Sequence, residues 1–505
     1  MTTGTSTATA SDRRAWLVPL LAVLLWATMR LEPQFFSNQN TKFLHGLAEA
    51  GFGYLAEDWM ANTKDGLPAF TLLVRWTAEV APLWVFYLEH FLLYVVYAVA
   101  VLLLFRREYR GIGAESLLAP LIFLLVFSPL HFDPPIPGGV AAQSIFNRWF
   151  EPANFGAFVL LGLWAFLVRR PVAAVVLINL AAAFHAGYVA PAAILLVGLA
   201  AGLPLLEQEQ RRRAALALAF GLAALAVNAL LLQLAFPATS PEAQAKATSV
   251  LALRRIPRHT DPATWFDGDA AGKLVLCLLG IFLARNRILG RLLAVGLAAT
   301  VLLSLLVLVM EANFVRLITP WRVTAFLVPV AWIIVIGRLI AWLLPWFQRF
   351  RLVPWGLAAC ALVALGLAGA GLAIKAATFG KSEPAYVQLV QAELAPGQVW
   401  LTEPMLEEFR LRTGAPQYIS FKTHPYLDVE VLEWARRLSL TQTLFKAASF
   451  DCAELARLRD EERVTHVLTG AFKPAKRRGP AMDCSFARPI ATAGDTRLYR
   501  LEPGS

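Results

Sequence analysis

Two adjacent carboxylates, Glu57 and Asp58, lie in a long polar segment that follows the first apolar stretch, from residue 31 to about residue 80. Later apolar stretches are joined mainly by short turns, so this segment is longer than a simple connection requires. A loop carboxylate can act as a general base towards a hydroxyl group, and Asp58 can alternatively be one ligand of a divalent cation such as Mg²⁺ or Mn²⁺. The simpler interpretation of either residue is a solvated acidic turn or a helix cap.

A second candidate group lies at 147–152 and at 184–188. Arg148 and Glu151 are three residues apart, so on one helical turn their side chains would face each other. They form either a structural salt bridge or part of a polar cavity, because charges at the end of an apolar span normally avoid lipid. His185 is either a hydrogen-bonded structural residue or a functional one. We predict that Glu151 is catalytic and that Arg148 and His185 bind substrate.

Basic residues in two further loops form the third candidate group, which consists of Arg255, Arg258, His259, Arg316 and Arg322. Arginine makes bidentate, charge-assisted hydrogen bonds with phosphate. The group therefore predicts a site for a phosphate or pyrophosphate headgroup. Neutralisation by ordinary anionic lipids, or by carboxylates of the same chain, is the alternative.

These polar groups are embedded in a strongly apolar chain. Of its 505 residues, 58% are hydrophobic and only 16% are charged, which exceeds what one water-soluble core of this size buries. The composition predicts a multi-pass membrane protein. The net charge of +11 does not indicate a nucleic-acid partner, because the arginine pairs and triplets stand at the ends of apolar spans.

Apolar stretches of roughly 20 residues, the length of a membrane-crossing helix, recur along most of the chain. Helices are expected because lipid offers no partner for backbone polar groups. About eleven candidates meet the length criterion, near 14–30, 81–105, 114–130, 153–168, 171–186, 188–206, 214–236, 273–284, 288–310, 323–344 and 352–374. The first is predicted to be retained, because it has no small-residue cleavage site and leads into further spans.

The basic residues of the short loops predict the orientation. If the spans alternate, arginines fall on one side at 13–14, 106–110, 169–170, 211–213, 285–287 and 349–351. The positive-inside rule makes that side, and the N-terminus, cytoplasmic. The exported face then carries the loops at 31–80, 131–152, 237–272 and 311–322 and the tail from about residue 378. The third candidate group also lies there, where positive charge is normally scarce, which favours a negatively charged ligand.

The tail is predicted to be a small α/β domain. Short strands are expected at 399–401, 417–419, 464–468 and 497–501, with helices near 403–412, 428–438 and 452–462. No glycine-rich phosphate loop accompanies the first strand, so a nucleotide site has no support. Cys452 and Cys484 either form a disulfide or remain free thiols. We divide the chain into a transmembrane domain, 1–377, with the long exported loop 31–80, and a soluble exported α/β domain, 378–505.

This layout resembles the GT-C class of membrane glycosyltransferases, and the resemblance covers nearly the whole chain. The shared features are a cytoplasmic N-terminus, a first span followed by a long exported loop with acidic residues, about eleven spans and a terminal exported α/β domain. Within the loop, residues 38–48, Gly51 and Asp58-Trp59 are similar to that class's loop helix and the turn after it. Residues 43–48 are predicted to form an amphipathic helix on the membrane surface.

The resemblance implies an α-helical polytopic protein of the inner (cytoplasmic) membrane. It also implies a polyprenyl-phosphate or polyprenyl-diphosphate sugar donor, and a glycan or protein acceptor at the exported face. The reaction would be an inverting displacement at the sugar's anomeric carbon. Asp58, helped by Glu57, would activate the acceptor or hold a metal, and the departing phosphate would be neutralised by Arg255, Arg258 and Arg322.

The GT-C acid usually comes shortly after the first span, where this chain has Glu32 and then the amides Asn38, Gln39 and Asn40. Either Asp58 or Glu32 has taken that role, or the chain keeps the scaffold and has lost or changed the reaction. A non-catalytic scaffold that presents the tail to partners is therefore one alternative function.

A transporter or flippase of lipid-linked intermediates is the other alternative. Such proteins typically show repeated half-chains or interrupted helices, with ionisable residues near the membrane midplane. The spans here carry few charges, with Glu89-His90 as the main exception, and no two-fold repeat is evident.

Overall fold

The computed structural model describes residues 35–109, 118–127, 138–146, 149–310, 316–349, 383–472 and 479–503, together with six single positions between 355 and 370. The described chain is mainly helical and ends in a small sheet. Five helices are long and apolar enough to cross a membrane, at Val85–Glu108, Ala186–Leu205, Gln208–Ala235, Ile288–Met310 and Pro320–Trp346. The prediction of a membrane protein with several apolar helices is thereby confirmed.

The remaining predicted spans have different outcomes. Those near 153–168 and 171–186 form shorter apolar helices, Pro152–Leu167 and Pro171–Phe184. The span near 273–284 lies within the helix Gly268–Ala284, and Leu118–Phe127 covers part of the span near 114–130. The span near 14–30, and nearly all of the one near 352–374, lie outside the described residues. The described residues therefore support five membrane-crossing helices and leave the total of eleven as a prediction.

Contacts divide the chain into two compact units. The helical unit comprises Met1–Glu32, Tyr87–Leu231 and Pro257–Phe379, and the mixed unit comprises Pro33–Phe86, Leu232–Ile256 and Gly380–Ser505. The last boundary lies close to the one predicted at 378. However, the early loop, which the linear division assigns to the transmembrane domain, packs with the terminal segment. The loop is therefore part of a folded unit rather than a connection.

Packed apolar helices build the helical unit. A glycine permits one of the close approaches between them, because a Cβ on Gly198 would lie 3.1 Å from the Cα of Leu292. The helices are Val85–Glu108, Leu118–Phe127, Ala157–Leu167, Pro171–Phe184, Val189–Ala201, Gln208–Ala235, Pro257–Thr260, Gly268–Ala284, Ile288–Met310 and Thr324–Arg349.

The mixed unit combines short helices with the sheet. Its Leu44–Glu49 helix includes most of the stretch predicted to lie on the membrane surface. Leu44 and Leu47 are fully buried there, so protein covers the apolar face. The helices of the unit are Gln39–Lys42, Leu44–Glu49, Pro68–Val80, Pro241–Ser249, Ala385–Glu393, Phe409–Thr413, Asp428–Lys446 and Cys452–Glu462, with a π-helical turn at Val250–Arg255.

The sheet has the order β1-β2-β4-β3, with β1 parallel to β2 and the other pairs antiparallel. Its strands are β1, Trp400–Leu401; β2, His466–Thr469; β3, Ala487–Ala493; and β4, Thr496–Leu501. The core on one face packs Trp400 and Leu468 against Phe409. The strand predicted at 417–419 forms only a single bridge, between Gln417 and Trp400.

Local sequence accounts for one helix of the tail in detail. The helix Cys452–Glu462 begins at the predicted residue because the Asp451 carboxylate accepts hydrogen bonds from the N–H groups of Ala453 and Glu454. Cys452 is disulfide-bonded to Cys484, with Cα atoms 5.4 Å apart, which settles the alternative that the sequence left open. The predicted helix at 403–412, in contrast, forms only at Phe409–Thr413.

Candidate functional site

Gln143 joins two of the predicted substrate-binding residues in the helical unit. Its Oε1 accepts a hydrogen bond from Nε of Arg322 at 3.0 Å, and its Nε2 lies 2.8 Å from Nδ1 of His259. Gln143 is buried, and it belongs to a different loop from either partner. One side-chain amide therefore brings together residues that are far apart in the chain.

The segment that carries Gln143 is fastened to the turn that carries Arg322. The N–H of Val140 donates to Oγ1 of Thr324 at 2.9 Å. Nζ of the buried Lys273 donates to the carbonyl oxygen of Gly139 at 3.2 Å. Thr319 enters the turn with a left-handed φ of 49°, which is uncommon for a β-branched residue. These constraints hold the backbone of Arg322 in place before the Thr324–Arg349 helix.

His259 has two competing partners at the same ring nitrogen. Nδ1 lies 2.8 Å from the carbonyl oxygen of Ala141 and 2.8 Å from Nε2 of Gln143. The Nδ1–H tautomer donates to Ala141 and leaves a lone pair on Nε2, which is the arrangement that a general base needs. In the Nε2–H tautomer, Nδ1 instead accepts a hydrogen bond from Nε2 of Gln143. Each of the two tautomers therefore satisfies one of these partners.

Arg322 packs against the turn Ala186–Tyr188. A Cβ on Gly187 would lie 1.8 Å from Nη1 of Arg322, so only glycine leaves room for the guanidinium. Nδ1 of His185 accepts from the N–H of Gly187 at 3.2 Å, and its ring packs on Tyr188 with centroids 4.6 Å apart. Two predicted binding residues, His185 and Arg322, thus meet at one turn.

Glu151 belongs to the same region. It is buried and precedes the turn Pro152–Gly156, where it forms a reciprocal capping box with Asn154. Tyr188 donates its hydroxyl hydrogen to the carbonyl oxygen of Ala153 at 2.7 Å and lies within the electrostatic field of both Glu151 and Arg322. We call the following residues the polar cluster: Gln143, Glu151, His185, Tyr188, His259 and Arg322.

An apolar groove of about 670 Å³ lies in the helical unit. Side chains of the Gly268–Ala284 and Ile288–Met310 helices line most of the groove. On the second helix, the lining residues run from Leu297 to Leu308. Trp265 and Trp321 also line it, with ring centroids 6.3 Å apart. Nε1 of Trp265 donates to the carbonyl oxygen of His259 at 3.2 Å. Because Trp321 directly precedes Arg322, the two tryptophans connect the groove to the cluster.

Asp58, the main predicted catalytic residue, lies inside the mixed unit. Its Oδ2 accepts from Nε of Arg410 at 2.6 Å and from the N–H of Gln417 at 2.7 Å, and its Oδ1 accepts from the N–H of Met60 at 2.8 Å. The side chains of Asp58 and Arg410 are 0% and 1% exposed. This environment explains Asp58 as the buried anchor of the early loop on the terminal segment.

Two further predicted residues also have structural partners in the mixed unit. The exposed Glu57 accepts a hydrogen bond from the N–H of Gly397 at 2.7 Å. Arg255 donates to Nδ1 of His424 at 3.1 Å and to the carbonyl oxygen of Lys422 at 2.7 Å, and burial lowers the pKa of its guanidinium. The guanidinium of Arg255 therefore binds the terminal segment.

The other predicted residues stand apart from these contacts. Arg258 is exposed beside His259, and Nε of Arg316 is buried without a hydrogen-bond partner among the described residues. Arg148 lies outside the described residues. Within the part of the chain that the structure describes, no three His, Cys, Asp or Glu side chains are grouped so as to hold a metal ion.

One unusual carboxylate lies at the carboxyl edge of the parallel strands β1 and β2. Oε1 of Glu403, after β1, accepts from the N–H of Gly470, after β2, at 2.6 Å. Its Oε2 is buried and has no hydrogen-bond partner among the described residues. Burial raises the pKa of Glu403 to about 7, although the hydrogen bond from Gly470 acts in the opposite direction.

Sequence reasoning missed four residues of the site, namely Gln143, Gly187, Tyr188 and Trp265. Gln143 carries no charge and lies in the loop 131–152, in which the sequence points only to Arg148 and Glu151. Gly187 and Tyr188 lie beside His185 in the stretch 184–188, and the sequence carries no signal for their contacts. Trp265 was not singled out either, and its role depends on a partner helix that the sequence does not identify.

Comparison with known proteins concerns only the mixed unit. Residues 382–441 match a family model described as a domain of unknown function (DUF6798). The matched stretch includes Arg410 and Gln417, which hold Asp58. No curated protein matches the chain.

Proposed function

We propose that this protein is a GT-C-type membrane glycosyltransferase, which moves a sugar from a polyprenyl-phosphate-linked donor to a glycan or protein acceptor. In this proposal about eleven spans cross the inner membrane, the N-terminus is cytoplasmic, and the polar cluster opens at the exported face. The observation that carries the proposal is that two tryptophans of the groove adjoin residues of the cluster: Trp321 precedes Arg322 in the chain, and Trp265 donates to the backbone carbonyl oxygen of His259.

The groove suits the apolar chain of such a donor. From Leu297 to Leu308 it follows about 16 Å of helix. Ser304 is the polar residue of this wall, and its hydroxyl donates to the carbonyl oxygen of Thr300 at 2.8 Å, so it offers no unsatisfied group to a lipid. A lipid chain in the groove would end at the two tryptophans, which places its phosphate beside the polar cluster.

Arg322 is the residue that we assign to the phosphate. Its Nε is bonded to Gln143, and Gly187 leaves room for its Nη1, so the guanidinium is held before any ligand arrives. A preorganised cation stabilises the negative charge that develops on the departing phosphate without the cost of reorganisation. The bond from the anomeric carbon to the phosphate oxygen breaks, and its electron pair goes to the phosphate.

The acceptor hydroxyl oxygen forms the new bond to the anomeric carbon and releases its proton to a base. We assign that role to His259 in its Nδ1–H tautomer, with Glu151 as the second candidate of the same cluster. Asp58 and Glu57, the carboxylates predicted first, act in this proposal by holding the early loop within the mixed unit. Metal assistance by Mg²⁺ or Mn²⁺ is not required by this assignment.

The test is transfer from a radiolabelled polyprenyl-phosphate sugar by the purified full-length protein in liposomes. Replacing the guanidinium in Arg322→Gln should lower the rate by about a hundredfold or more, the usual effect of losing one preorganised group at a developing charge. His259→Gln should reduce the rate and remove the base-dependent limb of the pH profile.

Arg213→Gln provides the matched control, because Arg213 is exposed and pairs only with Glu209 among the described residues. Its transfer rate should be unchanged. Absence of transfer in the wild type with several donors, or full activity in Arg322→Gln, would contradict the proposal. Lipid that copurifies with an inactive wild type would then favour the transporter, and a protein without bound lipid would favour the scaffold.

A further inference from the structure

A polar cavity of about 280 Å³ lies in the helical unit, where three helices end or begin. These are the C-terminal ends of Val85–Glu108 and Ala157–Leu167 and the N-terminal end of Ile288–Met310. The cavity is lined by Arg107, Glu108, Leu167, Arg169, Arg287 and Ile288. Three arginines from separate parts of the chain therefore face a single space.

The carboxylate in this cavity neutralises only one of the three arginines. Arg287 pairs with Glu108 at 3.1 Å and also donates to the backbone carbonyl oxygen of that residue. Nε of Arg107 donates a hydrogen bond to the carbonyl oxygen of Leu167 at 3.2 Å. Among the described residues, Arg169 has neither a hydrogen-bond partner nor an ion-pair partner for its side chain. The cavity thus holds two positive charges in excess, with guanidinium N–H groups left to donate.

Arg169 also occupies a backbone position that normally belongs to glycine. Its φ is 66°, and the hydrogen bonds from Arg169 to Phe166 and from Arg170 to Ala165 form the helix-ending motif in which glycine usually has this conformation. This conformation is sterically unfavourable for arginine, which has a Cβ, but not for glycine. A charged side chain that lines a basic cavity from a strained backbone position is a reason to look for a ligand there.

This cavity is distinct from the polar cluster. Glu151 lies before the N-terminal end of the helical stretch that leads to Leu167, and the cavity lies at the other end. The Ala157–Leu167 helix has 11 residues, which corresponds to about 16 Å along its axis. On Ile288–Met310 the cavity uses Ile288 and the apolar groove begins at Leu297, about 14 Å further along the helix axis.

We propose that Arg107, Arg169 and Arg287 form a binding site for the phosphodiester headgroup of an anionic membrane lipid. Guanidinium groups match phosphate oxygens in bidentate geometry, and the cavity has room for a phosphate with a small polar substituent. Basic pockets between the ends of membrane helices are typical sites for anionic lipids. Two of the three helices, Val85–Glu108 and Ile288–Met310, are long and apolar enough to cross a membrane, and lipid headgroups are present at high local concentration at the ends of such helices.

The test measures lipid binding by the purified full-length protein in a non-ionic detergent. Phosphatidylglycerol is titrated, and the apparent affinity is taken from the rise in unfolding temperature. Phosphatidylcholine and inorganic phosphate are titrated in parallel. We expect phosphatidylglycerol to stabilise the wild type at concentrations at which the other two have little effect.

Arg169→Gly is the most informative variant, because it removes the charge and relieves the strained φ together. Its unfolding temperature without lipid should equal or exceed that of the wild type, while its affinity for phosphatidylglycerol should fall by about tenfold or more, as expected for lost hydrogen bonds to a charged group. A purely structural role for Arg169 would lower the lipid-free unfolding temperature instead. Arg107→Gln provides a second variant with an unchanged backbone.

Arg170→Gln is the matched control, since Arg170 has the same charge, is adjacent in sequence and does not line the cavity. Its affinity should stay within about twofold of the wild type, as for an exposed surface charge. An equal loss in Arg169→Gly and Arg170→Gln would show general attraction and overturn the site. Equal stabilisation by phosphatidylcholine would also overturn it, and an equal effect of inorganic phosphate would assign the cavity to a free anion instead of a lipid.

Discussion

Oδ2 of Asp58 lies 2.6 Å from Nε of Arg410, and the two residues are separated by 352 positions in the chain. The pair is inaccessible to solvent, and Arg410 also donates to Oγ of Ser420 at 3.0 Å and to the carbonyl oxygen of Gln417 at 2.6 Å. Each ion thus makes hydrogen bonds beyond the ion pair itself, and such additional bonds are what allow a buried ion pair to be tolerated. This contact fixes the early loop to the terminal segment.

Asp58→Ala should destabilise the mixed unit by about 3–5 kcal/mol, because it leaves Arg410 charged, buried and without its counter-ion. The early loop should become sensitive to limited proteolysis near residue 58. Unfolding temperature and cleavage rate of the full-length protein are the two measurements.

Glu57→Gln is the control for that prediction. Glu57 is exposed, and its bond to the N–H of Gly397 is retained by the amide oxygen, so the change should cost at most about 1 kcal/mol. An Asp58→Asn protein with wild-type stability and protease resistance but no transfer activity would contradict the structural role and restore Asp58 as a catalytic residue.

Gly187→Ala should impair the proposed reaction more than the fold. The new Cβ would collide with Nη1 of Arg322, which is the far end of a flexible side chain and can move away at little cost in stability. Moving a positioning group by about 1 Å commonly costs a hundredfold in rate. We expect an unfolding temperature close to that of the wild type and a transfer rate lower by about that factor.

Gly272→Ala controls for the loss of a glycine, because no atom lies within 4 Å of the Cβ it would add. It should stabilise the Gly268–Ala284 helix by about 0.5–1 kcal/mol and leave transfer unchanged. Equal transfer by Gly187→Ala and the wild type would show that the position of the Arg322 guanidinium is unimportant.

Glu403→Gln should make stability less dependent on pH. The folded-state pKa of about 7 exceeds the ordinary value of 4.5, so the folded state binds the proton more tightly and wild-type stability falls as pH rises from about 4.5 to 7. The amide can still accept from the N–H of Gly470, and it carries no charge at any pH. The variant should therefore gain stability relative to the wild type as pH rises to 7, and the difference should be constant above about 8.

The comparison must be made as a difference between the two proteins. Burial lowers the pKa of His466 to about 4, which makes stability rise with pH between about 4 and 6.5 and opposes the contribution of Glu403. His466 is the same in both proteins, so its contribution cancels. Parallel curves of unfolding temperature against pH from 4.5 to 8 would contradict the assignment.

Removing the disulfide in Cys452→Ser with Cys484→Ser should destabilise the mixed unit by about 3–4 kcal/mol, on the chain-entropy estimate for a loop of this length. The bond closes a loop with a sequence separation of 32 residues. Unfolding temperatures with and without reductant should differ in the wild type and coincide in the double variant. Four titratable thiols in the unreduced, denatured protein, instead of the two that belong to Cys277 and Cys360, would exclude the bond.

Local sequence predicted the parts of the fold that depend on short-range physics. The apolar span near 188–206 corresponds to Ala186–Leu205, because length and hydropathy alone determine which helices can cross a membrane. The helix predicted near 452–462 forms at those bounds, and in the structure its first residue follows a capping aspartate. In contrast, β3 was missed because Pro489 and a register shift interrupt its pattern, as is usual for an edge strand.

The sequence by itself determined that this is a membrane protein, with a small α/β tail and with Glu151, His185, His259 and Arg322 as polar residues that need partners. Only the tertiary structure decided which partners they have. It placed Asp58 against Arg410 in a closed interior, and it used Gln143 to join Arg322 to His259. Helix propensity and hydropathy act over a few neighbouring residues, whereas these contacts join residues more than 100 positions apart, and their geometry depends on how whole elements pack.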